Sequence, residues 1–251
     1  MSDKKTIALV TGASSGIGEE FCRQLASRCD LIIATGRRSR QLEALASSLQ
    51  ATTEVFPLVA DLTTVEGRTR VIETLRQKGP LDYLVNNAGF STLGTFESLE
   101  LGPQQEMVGV HIDATMALCR AAIPFMRENG GGNIINVSSL VAFNPYASVA
   151  VYGATKAFLN HFSEALQLEL EGSGIRVQSL CPGFTRTDFH GRGSMDGFDP
   201  ALVPEAMWMS SEQVVTLSLR ELPQGPVVLV AGESNLAMAR QGLEGQLQRL
   251  S

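Results

Sequence analysis

The chain is poor in the residues that carry metal and disulfide chemistry. Its four cysteines in 251 residues, Cys22, Cys29, Cys119 and Cys181, stand in no C-x-x-C or other metal-ligand spacing. That excludes a zinc module or a disulfide-stapled scaffold and leads us to expect reduced thiols in a cytoplasmic compartment, with no metal. Basic charge is short too: 20 Lys and Arg against 26 Asp and Glu give a net charge of −6, so no bulk affinity for nucleic acid or an anionic membrane is expected. The opening "MSDKKTIALVTG" has lysines and then an apolar run too short for a signal-peptide core or a membrane span. Linkers, low-complexity tracts and solenoid repeats are missing. Apolar residues at 44% against 18% charged exclude disorder, and one domain over residues 1–251 is expected.

What is present is alternation. The runs "TIALVTG", "LIIATG", "EVFPLVA", "LDYLVNN", "GNIINVS", "IRVQSLC" and "GPVVLVAG" are short, rich in β-branched residues and bounded by Gly, Pro, Asn or Asp, so each reads as a buried strand. Helical patterns lie between them: Gly16 to Arg28, Ser39 to Leu49, Thr63 to Gln77, roughly Ser98 to Arg127, and Ala150 to Glu171. The order predicts an α/β fold, a Rossmann-type doubly wound parallel sheet of about seven strands with helices on both faces. One segment breaks the rhythm, Gly183 to Met209, with two prolines, three phenylalanines, three methionines and the single Trp. It reads as a loop covering a substrate, with a surface insertion as the plainer alternative.

"LVTGASSGIGEEF" follows the first strand and opens the first helix. Gly12, Gly16 and Gly18 permit a tight turn and close backbone approach, and the helix start favours an anion. In the first βα turn this is the setting of a dinucleotide site, although the first two glycines, Gly-x-x-x-Gly, are further apart than in the usual G-x-G-x-x-G fingerprint. A carboxylate ending the second strand would select the ribose hydroxyl of NAD; this chain has "ATGRRSR" instead. Arg37 first, and Arg38 second, are placed to pair with the 2′-phosphate of NADP(H); a solvated arginine cluster is the alternative. Asp61, beside Leu62 in "VADLT", is placed to meet the adenine amino group or, equally, to cap the next helix.

Tyr152 and Lys156 in "VYGATKAFLN" project from one helix face. Taken alone, the pair is most simply a cation–π contact. The rest of the chain gives it another meaning.

From about Lys5 to Asp188 the sequence resembles the classical short-chain dehydrogenase/reductase family. "TGASSGIG", containing Gly12, Ser14, Ser15, Gly16, Ile17 and Gly18, matches the family's cofactor loop. "NNAG", containing Asn87, Ala88 and Gly89, matches the motif ending the fourth strand, and "YGATK" the Tyr-x-x-x-Lys motif. Ser139 stands thirteen positions before Tyr152, where a catalytic serine is expected. "CPGFTRT", with Pro182, Gly183, Thr185 and Thr187, matches the turn that contacts the nicotinamide end. The resemblance implies an NADP(H)-dependent oxidoreductase interconverting a carbonyl compound and an alcohol. Tyr152 would be its general acid/base, Lys156 would favour the tyrosinate and hold the nicotinamide ribose, and Ser139 would donate to the substrate oxygen.

The family usually places an Asn where this chain has His111, and the backbone carbonyl of that Asn, at a kink in a long helix, holds a water on the proton path. His111 is read as a structural substitute, as an active relay, or as the mark of an impaired site. Phe90, Leu93, Leu140, Phe143, Tyr146, Phe184, Phe189, Met207 and Trp208 are expected to wall a pocket for an apolar or aromatic small molecule; Arg186 and Arg192 would serve an anionic group or simply be solvated. Other readings are a non-catalytic NADP-binding regulator and a sugar-nucleotide epimerase or dehydratase, the latter disfavoured by the lack of a large C-terminal substrate domain. The final strand, "VVLVAGESN", departs from the family pattern in a region that often forms a tetramer interface. A homodimer through the two longest helices is therefore expected ahead of a homotetramer.

Overall fold

In a computed structural model the described residues are 5–189 and 198–250. Seven strands form one parallel sheet. They are β1 (Ile7–Thr11), β2 (Leu31–Gly36), β3 (Glu54–Val59), β4 (Tyr83–Asn86), β5 (Gly132–Val137), β6 (Ile175–Cys181) and, after two short strands described below, β9 (Val228–Val230). Their spatial order is β3-β2-β1-β4-β5-β6-β9, with Leu9 of β1 opposite Ile33 on one side and Leu84 on the other. The order reverses between β1 and β4, and such a reversal opens a crevice at the carboxyl ends of the strands.

Alternation along β1 supplies both faces of the core. Ala8 and Val10 pack with Phe21, Leu25, Leu42 and Val214 on one side; Ile7 and Leu9 pack with Val71, Leu75, Leu118 and Leu166 on the other. Helices α1 (Gly16–Leu25), α2 (Ser39–Leu49) and α3 (Val65–Lys78) follow the first three strands. Helix α1 buries Gly18, Phe21, Cys22 and Leu25, the stripe expected of a helix lying on a sheet.

The edge strand β3 differs from expectation. Most of it is partly or fully exposed, and Pro57, which cannot donate to a ladder, is tolerated because only one neighbour pairs with it. The long apolar pattern after β4 is not one regular helix. It is α4 (Leu101–Val108), a π-turn (Gly109–Asp113) and α5 (Ala114–Glu128). By length and hydropathy this run could cross a bilayer, but Met107, Val110, Ala114, Leu118, Cys119, Ala122 and Met126 are core residues.

Helix α6 (Ala150–Glu169) matches the expected start. Within the irregular segment a second, two-stranded sheet joins β7 (Thr185–Arg186) to β8 (Met209–Ser210). Two helices that the sequence pattern does not announce close the chain, α7 (Ser211–Glu221) and α8 (Glu233–Gln248).

Candidate active site

The crevice at the strand reversal holds a cavity of about 550 Å³. At one end it is lined by Gly12, Ser14, Ser15, Gly16 and Ile17 from the β1–α1 turn, by Arg37 and Arg38 after β2, by Asp61 and Leu62 after β3, and by Asn87, Ala88 and Gly89 after β4. At the other end stand Ser139, Tyr152, Lys156, Pro182, Gly183, Thr185 and Thr187. Two residues named from sequence stand behind the wall. Gly18 is buried under the turn, where a Cβ would collide with the Gly12 carbonyl and the Asn87 amide. His111 is buried beneath Gly89 and Tyr152.

Thr11 ties the crevice together. Its Oγ1 donates to the Val85 carbonyl at 3.3 Å and accepts from the Asn87 and Ala88 amides, each at 2.9 Å. Asn87 Nδ2 returns to the Thr11 carbonyl at 2.9 Å. Gly12 at φ +65° and Gly16 at φ +57° make the turn that a side chain would strain.

The two arginines divide their tasks. Arg38 donates to Ser14 Oγ at 3.1 Å and to the Ser14 carbonyl at 2.9 Å, fixing the turn. Arg37 has a side chain 60% exposed and only a loose ion pair with Asp61, at 3.9 Å. Its guanidinium keeps donors to spare beside the cavity, which suits a charged oxygen ligand. Asp61 does not cap α3. That role falls to Thr64, which accepts from Gly67 N at 3.0 Å, while Asp61 Oδ1 closes a small turn onto Thr63.

At the reacting end, Lys156 Nζ donates to the Val137 carbonyl at 2.9 Å and lies 5.5 Å from the centroid of the Tyr152 ring. The cation–π geometry is thus present, inside a buried site. Ser139 begins a 3₁₀ segment, Leu140–Phe143, whose Val141 N donates to its hydroxyl. Burial pushes the Tyr152 phenol up to about 12, with its hydrogen bond to Ser139 acting in the opposite direction. Burial also draws the Lys156 ammonium down to about 7. The expected depression of the tyrosine by the lysine is therefore not found: the cation sits over the ring face, bonded to a carbonyl, and desolvation of the anion dominates.

His111 occupies the π-turn. Its Nδ1 is 2.8 Å from Thr155 Oγ1, and that hydroxyl donates its one proton to the Tyr152 carbonyl at 2.8 Å. The Thr155 oxygen must then accept, so the imidazole proton is on Nδ1 and Nε2 is a bare acceptor. Among the described residues Nε2 has no hydrogen-bond partner, and it faces Gly89, where a Cβ would strike it. Burial, then the nearby Lys156 charge, hold its pKa well below 6.5. A relay titrating near that value is not what this setting favours.

Of the proposed pocket wall, Phe90, Leu93, Leu140, Tyr146, Phe184 and Phe189 line the cavity. Phe143, Met207 and Trp208 do not. Phe143 is core under α8, Met207 ends a 3₁₀ turn, and Trp208 backs Phe184 with ring centroids 5.5 Å apart. Arg186 pairs with Glu205 and lies over Trp208; Arg192 lies outside the described residues. Sequence reasoning missed Thr11, Thr155, Phe198 and Met238. The first two carry a signal, since each belongs to a quoted motif; the last two reach the cavity only through tertiary packing.

A parallel sheet with a glycine turn at its reversal point, facing a Ser, Tyr and Lys set across one cavity, defines an oxidoreductase of the dinucleotide-binding α/β class. Residues 6–195 match the family model described as short chain dehydrogenase. The chain belongs to that family. It is similar to a probable NADP-dependent dehydrogenase of Haemophilus influenzae, 35% identical over 196 residues, 75% of this chain and 77% of the relative. Among solved structures it is similar to a short-chain dehydrogenase from Sphingobium yanoikuyae in complex with NADPH, at 33% identity and TM-score 0.84, covering 96% of this chain and 95% of that one. The bulky-bulky ketone specific alcohol dehydrogenase from Comamonas testosteroni is similar at 30% identity and TM-score 0.80, covering 96% and 94%.

Proposed function

We propose that the protein is an NADP(H)-dependent reductase of ketones or aldehydes carrying apolar or aromatic substituents. The observation that carries this reading is the meeting of Ser139, Tyr152 and Lys156 with Arg37 and the glycine turn around one cavity. When bound, NADP(H) supplies or accepts the hydride. Gly12, Ser14 to Ile17, Asp61 with Leu62, and Asn87 to Gly89 would hold the nucleotide. Arg37 would meet the 2′-phosphate, and Pro182, Gly183, Thr185 and Thr187 would flank the nicotinamide.

Ser139 would donate to the substrate oxygen as negative charge grows there, and Tyr152 would pass it a proton. A phenol raised to about 12 is protonated across the neutral range, which suits donation in the reductive direction. His111 enters as a positioning residue, holding the first turns of α6 through Thr155. Residues 183–209, of which 190–197 lie outside the described residues, would cover the substrate. Pairing of two copies through α5 and α6 is part of the same proposal, supported by exposed Met116.

Steady-state turnover of ketones with NADPH and NADH tests the reading. Tyr152→Phe should lower kcat about 100-fold or more while NADPH binding persists; residual kcat above about a tenth of wild type would remove Tyr152 from the proton-donor role. Arg37→Ala should raise KM for NADPH about 10- to 150-fold and leave NADH nearly unchanged. Equal losses with both cofactors would make Arg37 a structural residue.

A further inference from the structure

Helix α8 lies beyond residues 6–195, where the family model ends, yet it is fastened to the site at two points. Near its start Asn235 is buried, donating Nδ2 to the Ala231 carbonyl at 2.6 Å, and it packs so closely on Gly183 that a Cβ there would meet its Oδ1 at 2.5 Å. Near its end Gln246 Nε2 donates to the Phe143 carbonyl at 2.6 Å. At Gly242 the helix presses against the same carbonyl, 2.6 Å from where a Cβ would stand. The two anchors fall on the two segments that frame the reacting end: the turn carrying Pro182 and Gly183, and the 3₁₀ segment that begins after Ser139. Between them, one turn from Asn235, Met238 reaches the cavity.

We infer that Met238 is a specificity-determining residue, its thioether forming the far wall against which the larger substituent of the carbonyl substrate packs. Met238 packs against a cluster that includes Leu140, and Leu140, Phe184 and Phe198 are apolar residues that line the same cavity. None of them can clamp a carboxylate or a phosphate, so recognition there is by shape and apolar contact. Methionine suits such a place because its unbranched chain adapts to irregular surfaces, while the close seating at Gly242 and Asn235 keeps the helix from giving way. The length of the side chain at position 238 then sets how large a substituent is admitted. The inference rests on the carbonyl reading and adds to it the residue that selects among carbonyl compounds.

The test compares acetophenone with benzophenone, using NADPH and the full chain, in wild type, Met238→Ala, Met238→Phe and Met238→Leu. The ratio of kcat/KM for benzophenone to that for acetophenone should rise about 10-fold or more in Met238→Ala, fall by a similar factor in Met238→Phe, and stay near wild type in Met238→Leu. Trp208, whose ring is tilted against that of Phe184, gives a second readout: the Kd of benzophenone for the NADP⁺ complex, followed by tryptophan emission, should move as the ratio moves, while the Kd of NADPH is constant. A ratio that moves less than twofold in both Met238→Ala and Met238→Phe overturns the inference and leaves the carbonyl reading standing. Reduction of neither ketone by wild type or any variant, despite normal NADPH binding, overturns the carbonyl reading and the inference with it.

Discussion

The proton on His111 is fixed by a neighbour 44 residues away in the chain. Thr155 has one hydroxyl proton, the Tyr152 carbonyl takes it, and the imidazole is left to donate from Nδ1. Because burial keeps the folded ring neutral well below its ordinary 6.5, the unfolded chain binds a proton below pH 6.5 that the folded chain refuses. The sign follows: His111 subtracts nothing above about pH 6.5, and stability falls as pH drops from there toward the lowered folded value. Nitrogen-15 spectra should find one Nδ1-protonated histidine whose signals do not move between pH 5 and 8, and urea unfolding of His111→Asn should lose stability less steeply below pH 6.5 than wild type. A signal from His111 titrating near 6.5 would contradict the assignment.

At the level of elements, α7 offers a clean measurement. Ser210 Oγ accepts from Gln213 N at 3.1 Å, and Gln213 Oε1 accepts from Ser210 N at 2.9 Å, a reciprocal cap on a helix that buries Val214, Val215 and Leu219. Ser210→Ala should cost about 1 kcal/mol and lower Tm by about 2–4 °C; an unchanged melting curve would mean that packing alone holds the helix.

The contrast between α8 and α2 explains what was legible. Leu42, Leu45 and Leu49 bury one face of α2 and write its period into the sequence, whose predicted bounds Ser39 to Leu49 are the observed ones. In α8 the pattern is inverted. The buried face is Asn235, Ala239 and Gly242, small or polar residues suited to close approach, while Leu236, Leu243 and Leu247 point outward. A reader of hydrophobic period finds no helix lying on a core there. The site was legible wherever a motif fixed a backbone turn, as from Gly12 to Gly18 or Asn87 to Gly89. It was not legible at Met238, whose place depends on how a distant helix is seated, nor for Tyr152, whose phenol burial pushes up.

The molecule as a whole is organised around one seam, between β1 and β4, where the strand order reverses. Asn87 and Ala88 lie beyond the last residue of β4 and outside any regular element. An inventory of helices and strands would place their amides with the rapidly exchanging loops. Yet both are bonded to a hydroxyl on the neighbouring strand, Thr11 Oγ1, so deuterium reaches them only when β1 and β4 part, an opening that demands much of the central sheet. Hydrogen exchange should find these two amides as slow as those of β4 itself, and Thr11→Val should move them into the fast class while leaving β5 slow. The floor of the crevice then keeps the clock of the core rather than that of a loop: whatever enters meets a surface already set, and motions that admit or release it must come from the walls.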